Sequence, residues 1–203
     1  MIFETGNRRE AGLPFPVTNK ANIMQAWIAL LRGINVGGKN LLPMKQLVAL
    51  LEELGCRDVK TYIQSGNAVF WSGENDATCL ADTISGEIQS KFEFHPQIIL
   101  LTLADLEKAI AANPFPEALD EPKTLHLFFL AARPDDPDLN GLEDARADSE
   151  RFELQKGVFY LHAPKGIGRS KLTAKAEKFI GVPMTGRNWR SIQKIVEMAK
   201  EIE

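Results

Sequence analysis

One order of elements, strand, helix, strand, strand, helix, strand, helix, can be read twice along this chain of 203 residues. No other feature restricts its fold as strongly. In the first pass, residues 26–31 are almost wholly apolar, as suits a strand covered on both faces. From Pro43, apolar residues fall at Met44, Leu47, Val48, Leu51 and Leu54. That is the period of an amphipathic helix with proline in its first turn and Gly55 as its stop. Residues 58–64 alternate, Ser65-Gly66 turns the chain, and residues 67–71 return, which predicts a hairpin. Asp76 caps a helix carrying Leu80, Ile84, Ile88 and Phe92. A strand over 97–101 leads to Thr102, the cap of a helix with Leu103, Leu106 and Ile110.

The second pass starts with an apolar strand over 124–130 and a weak helix after Pro137. A hairpin follows, 151–155 and 158–162 around Lys156-Gly157. Ser170 caps a helix with Leu172, Ala176, Phe179 and Ile180, which Gly181 stops. A short strand at Met184 and Thr185 enters the last helix, with Trp189, Ile192, Val196, Ala199 and Ile202 on its apolar face. Pro96 and Pro183 open the last strand of each pass, and Thr102 matches Asn188. The pattern predicts an α+β chain of two duplicated ferredoxin-like βαββαβ units, each an antiparallel sheet with helices on one face. The expected division is an extension over 1–23, a first unit over 24–113, a proline-bearing linker over 114–122 and a second unit over 123–203.

Hydrophobic residues make up 44% of the chain, enough for a packed core, and the net charge of −3 argues against a generally basic nucleic-acid coat. Cys56 and Cys79 stand alone without CxxC spacing, as in a reducing cytoplasm, so a cytoplasmic protein is expected. No stretch is apolar enough for a signal peptide or a membrane span, and no membrane partner is expected. Periodic sequence begins just after Met24, which reads as an alternative start behind a dispensable extension, or else behind an ordinary packed arm.

Four segments, LLRGINVGGKN, TYIQSGNAVF, GRSKL and TGRNWRSI, in this order and spacing, resemble a bacterial family catalogued as domain of unknown function 1697. The likeness spans roughly 25–200. It implies cytoplasmic proteins of two duplicated ferredoxin-like halves. It implies no substrate and no catalytic residue.

The same segments hold the polar clusters. The first is Arg32, Asn35, Lys39 and Asn40 among three glycines, and the second is Gln64, Ser65 and Asn67 at the first hairpin tip. Lys165, Arg169, Ser170 and Lys171 form the third, and Thr185, Arg187, Asn188 and Trp189 the fourth. All fall on loops or helix starts, where free N–H groups meet anions. The bland readings stand beside the sharp ones: glycines for a tight turn, Ser65-Gly66 as plain hairpin chemistry, Ser170 and Asn188 as caps, Trp189 as core. Neither the Walker spacing nor GxGxxG is present. His95, His126 and His162 have no metal spacing, and no Ser or Cys has an evident His partner in the sequence.

Opposite strand directions in a βαββαβ unit put the first two clusters at one sheet edge and the last two at the opposite edge of the second unit. One cleft between the units is therefore expected to gather them. Three functions remain open. The first is binding a phosphate-bearing ligand, a nucleotide or short nucleic-acid strand, at Arg32, Asn35, Lys39, Asn40, Gln64, Asn67, Arg169, Ser170, Lys171, Arg187 and Asn188. The second is an enzyme acting on a phosphorylated small molecule, and the third a protein interaction module. No dedicated metal site is expected, Mg²⁺ arriving with a phosphate stays open, and cofactor and oligomeric state are not legible.

Overall fold

The computed structural model describes residues 24–203. The extension and the alternative start at Met24 fall at or before the boundary of the described residues. The elements are β1 (Gln25–Leu31), α1 (Met44–Glu53), β2 (Arg57–Tyr62), β3 (Asn67–Ser72), α2 (Ala77–Phe92), β4 (Ile98–Leu101) and α3 (Leu103–Ala111). After a 3-10 turn (Pro116–Asp120) come β5 (Leu125–Leu130), α4 (Leu139–Ala145), β6 (Arg151–Gln155), β7 (Val158–His162), α5 (Lys171–Ile180), β8 (Met184–Asn188) and α6 (Trp189–Ile202). The strands form two four-stranded antiparallel sheets, ordered β2-β3-β1-β4 and β6-β7-β5-β8. This is the ferredoxin-like order, twice. The segment between the halves packs inward: Phe115 and Ala118 are buried.

Capping follows the sequence. Asp76 accepts from the N–H of Thr78 and Cys79, Thr102 and Asp105 form a reciprocal capping box, and Ser170 and Asn188 accept from Thr173 N–H and Ser191 N–H. One face of each sheet packs on its own helices. Trp27, Ala29, Leu31, Ala68 and Phe70 meet α1 and α2, and Phe128, Phe159 and Leu161 meet α4 and α5. The opposite faces share a third core. Ile28, Leu30 and Val69 of the first sheet and Leu125, Leu127, Phe129 and Tyr160 of the second enclose α3 and α6.

The two halves match in register at their last strands. Arg32 N–H donates to Gln97 O and Ala131 N–H donates to Pro183 O, both at 2.9 Å. Leu31 pairs with Ile98 as Leu130 pairs with Met184. Five positions beyond Gln97 and Pro183 stand the two caps, Thr102 and Asn188. In this register Arg187 is the twin of Leu101, Thr185 the twin of Ile99, and Arg32 the twin of Ala131.

Candidate anion-binding cleft

A cavity of about 1000 Å³ opens between the halves. Its walls are the turn after β1 (Arg32, Gly33, Ile34, Val36), Ser65 of the first hairpin, one side of α5, and the edge strand β8 with the residues leading into it. β8 places Thr185 and Arg187 two residues apart, so both side chains leave the same face of the strand.

Arg187 is the central group. It is 8% exposed. Its Nε donates to Asn67 Oδ1, its Nη1 to Gly186 O at 2.8 Å, and its Nη2 to Leu31 O at 2.9 Å and Ser65 O at 3.0 Å. A longer contact reaches Gly66 O at 3.3 Å. Carbonyl dipoles satisfy donors but do not cancel a charge. Among the described residues no carboxylate lies within ion-pair distance of this guanidinium. Burial alone pushes its pKa down to about 10, so it is charged at neutral pH. A guanidinium has five N–H donors, and the second one on Nη1 has no acceptor here.

Two further wall groups lack partners: the hydroxyls of Thr173 and Thr185 are buried without a hydrogen bond. A buried hydroxyl left unpaired costs about 1–3 kcal/mol. At the mouth Arg32 pairs with Glu177 at 2.8 Å across the two halves, with both side chains well exposed. Lys178 follows on α5.

The other residues singled out in the sequence have varied placements. Asn35 and Asn40 take left-handed backbone, φ 54° and 50°, which asparagine tolerates better than most residues. Their side chains are used within the loop. Asn35 Nδ2 donates to Leu42 O and Gln64 O, its Oδ1 accepts from Leu42 N–H, and Asn40 Nδ2 donates to Gly33 O. Asn67 is buried and holds Tyr62 O, Ser65 Oγ and Arg187. Lys39, Gln64, Arg169 and Lys171 are exposed and do not line the cavity, and Ser170 and Asn188 act as caps. The cleft therefore draws Arg32, Ser65, Thr185 and Arg187 together and leaves the Lys165–Lys171 cluster outside its wall.

In the sequence Thr173, Glu177 and Lys178 read as the ordinary polar side of an amphipathic helix, and the docking of the halves is what brings them to the cavity wall.

One expectation about nucleophiles changes. Ser85 Oγ lies 3.1 Å from His95 Nδ1, a contact the sequence did not suggest because it joins the middle of α2 to the chain before β4. Ser85 donates its proton to Pro96 O at 2.6 Å, so the imidazole is the donor and cannot act as base to this hydroxyl. Among the described residues no three His, Cys, Asp or Glu side chains are grouped to hold a metal, and no helix is long and apolar enough to cross a membrane.

The fold and the cleft together define a class: a duplicated ferredoxin-like α+β protein with a cationic cleft between its halves. The chain belongs to the family described as protein of unknown function (DUF1697), whose model matches residues 24–160. It is similar to a solved conserved bacterial protein, SP0830 from Streptococcus pneumoniae. The two share 26% identity and a TM-score of 0.59, over 87% of this chain and 99% of that one. No curated protein matches it.

Proposed function

We propose that this protein binds a phosphate-bearing ligand, a nucleotide or the end of a short nucleic-acid strand, in the cleft between its halves. The observation that carries the reading is an asymmetry between twins. Duplication gives the molecule a second cavity of about 620 Å³, in which β4 and α2 replace β8 and α5 and Ala131 replaces Arg32. No lysine or arginine lines that second cavity, and its one charged acid is Asp82. At the positions of Arg187, Thr185 and Arg32 it has Leu101, Ile99 and Ala131. The fold is therefore built once with apolar side chains at these places. The cations and unpaired hydroxyls of the first cleft are not a requirement of the topology. A buried charge without a counter-charge is costly, and an anion in the cleft would offset that cost.

The test is to identify small molecules released from the freshly purified protein by mass spectrometry, and to titrate nucleotides at low and high salt. A bound anion whose affinity falls steeply with salt is the expected result. A protein that retains no anion, and whose nucleotide titrations are flat at low salt, would overturn the reading. Thr185→Val gives a second check. Removing an unpaired buried hydroxyl should leave stability unchanged or raise it by up to about 2 kcal/mol, and a weaker ligand alongside it would show that the hydroxyl turns into the cleft when an anion binds.

A further inference from the structure

We infer that the cleft selects a terminal phosphate monoester, a dianion, over an internal phosphodiester. This rests on the proposed binding function and narrows its ligand. Two independent features point the same way.

The first is charge. The wall carries three cations, Arg32, Lys178 and Arg187, against one carboxylate, Glu177. The excess of two positive charges matches a monoester, which carries about −1.5 to −2 at neutral pH, better than a diester with a single charge.

The second is depth. The charges form a gradient from the mouth, where the Arg32 side chain is 43% exposed, to the floor, where Arg187 is 8% exposed. A group at the end of a molecule can reach such a floor. A phosphate within a strand must bring both flanking residues down with it, past the Arg32–Glu177 pair at the mouth. The organic body of the monoester then lies toward the mouth. There Val36 is 66% exposed and Val182 and Pro183 supply apolar wall.

Glu177 acts here as a resident anion. It holds Arg32, and its Oε2 also lies 3.4 Å from Met184 N–H. An incoming phosphate competes with it for the same cation.

The experiment compares matched pairs, nucleoside 5′-monophosphates and their methyl phosphodiesters, with inorganic phosphate, by titration calorimetry on the intact protein. The monoesters are expected to bind at least about tenfold tighter than their diesters near pH 8, and the gap should close near pH 5, where the monoester gains a proton on its second ionisation at about 6. Glu177→Gln should tighten monoesters several-fold, and Lys178→Gln should narrow the monoester preference. Equal affinity within the pairs, or a preference that does not change with pH, would overturn the monoester inference while leaving anion binding in place. If neither member of any pair binds, and inorganic phosphate does not either, the binding reading falls with it.

Discussion

Arg187 ties distant parts of the chain together through one side chain. It joins the end of β1 and the first hairpin to the last strand of the chain, through Leu31 O, Ser65 O and Asn67. Arg187→Leu, which restores the residue of its twin position, leaves these acceptors in a dry interface. Each can cost about 1–3 kcal/mol, partly offset by relief of the buried charge, so a net loss on the order of 3 kcal/mol in urea denaturation is expected. Arg187→Lys should recover little of it, because an ammonium cannot reproduce the planar fork. His126 gives a prediction of a different kind. It is buried beside Phe128, and burial holds its pKa below the ordinary 6.5. A depressed folded-state pKa means that the unfolded chain takes up protons first as pH falls. Stability present above pH 6.5 is then lost as pH drops through the folded-state value. His126→Phe removes this contribution, and Thr124 O keeps its bond from Ala163 N–H. The fall in Tm between about pH 7.5 and pH 5 should be smaller in the variant; an equal fall would assign the effect to other groups, such as His162, whose pKa burial also lowers.

The elements were legible because their signals are local. Proline at a helix start, an N-cap three residues before its N–H partner and a period of 3.6 or 2 all lie within one segment. The duplication was legible for the same reason, since Thr102 and Asn188 open similar helices. Loops carry weaker local signals, as the glycines show. Gly38 stands out in the sequence, and it does take φ +75°, but a Cβ there would meet nothing within 4 Å. Gly66, which reads as an ordinary hairpin dipeptide, has φ +72°, and a Cβ on it would sit 2.7 Å from Leu31 Cβ and 2.9 Å from Ile34 Cδ1. That crowding comes from a neighbouring strand, so no local pattern could announce it. Gly66→Ala is expected to cost about 2–4 kcal/mol, strain plus overpacking, and Gly38→Ala only about 1 kcal/mol. Equal losses for the two in thermal denaturation would show that backbone strain alone decides both. The cleft was legible to a similar degree. Strand direction places Arg32 and Arg187 at facing edges, but the partner of Arg32 is Glu177 on the middle of α5, and no spacing links the two.

At the scale of the whole molecule the two halves are interlocked through their last helices. α6 belongs to the second half, yet it lies on the first sheet: Trp71 Nε1 donates to Ile202 O at 2.8 Å, and Lys60 pairs with Glu201 at 2.9 Å. α3 belongs to the first half and is held by the second: Tyr160 Oη donates to Ala109 O at 2.8 Å, and Gln155 Nε2 to Ala112 O at 2.7 Å. Near each helix end at least one carbonyl thus accepts from the other half's hairpin. Between them α3 and α6 fill a core to which both sheets contribute, with Ile28, Leu30 and Val69 each 1% exposed. Residues 24–123 alone would lack α6 and bare that face, at about 1.5–3 kcal/mol for each large apolar side chain returned to water. A domain with a total stability of about 5–15 kcal/mol does not survive several such losses. The two units repeat one topology, and they are expected not to be separable in folding. The intact chain should unfold in one transition, with tryptophan fluorescence (Trp27 and Trp71 in one half, Trp189 in the other) and far-ultraviolet circular dichroism giving the same midpoint. The isolated 24–123 segment should be unfolded or aggregated. Two resolved transitions, or a soluble first half with a cooperative melt, would show that the shared core is an interface between independent domains. The cleft, built from β1 and its turn on one side and β8 and α5 on the other, would then open and close by motion of one domain against the other.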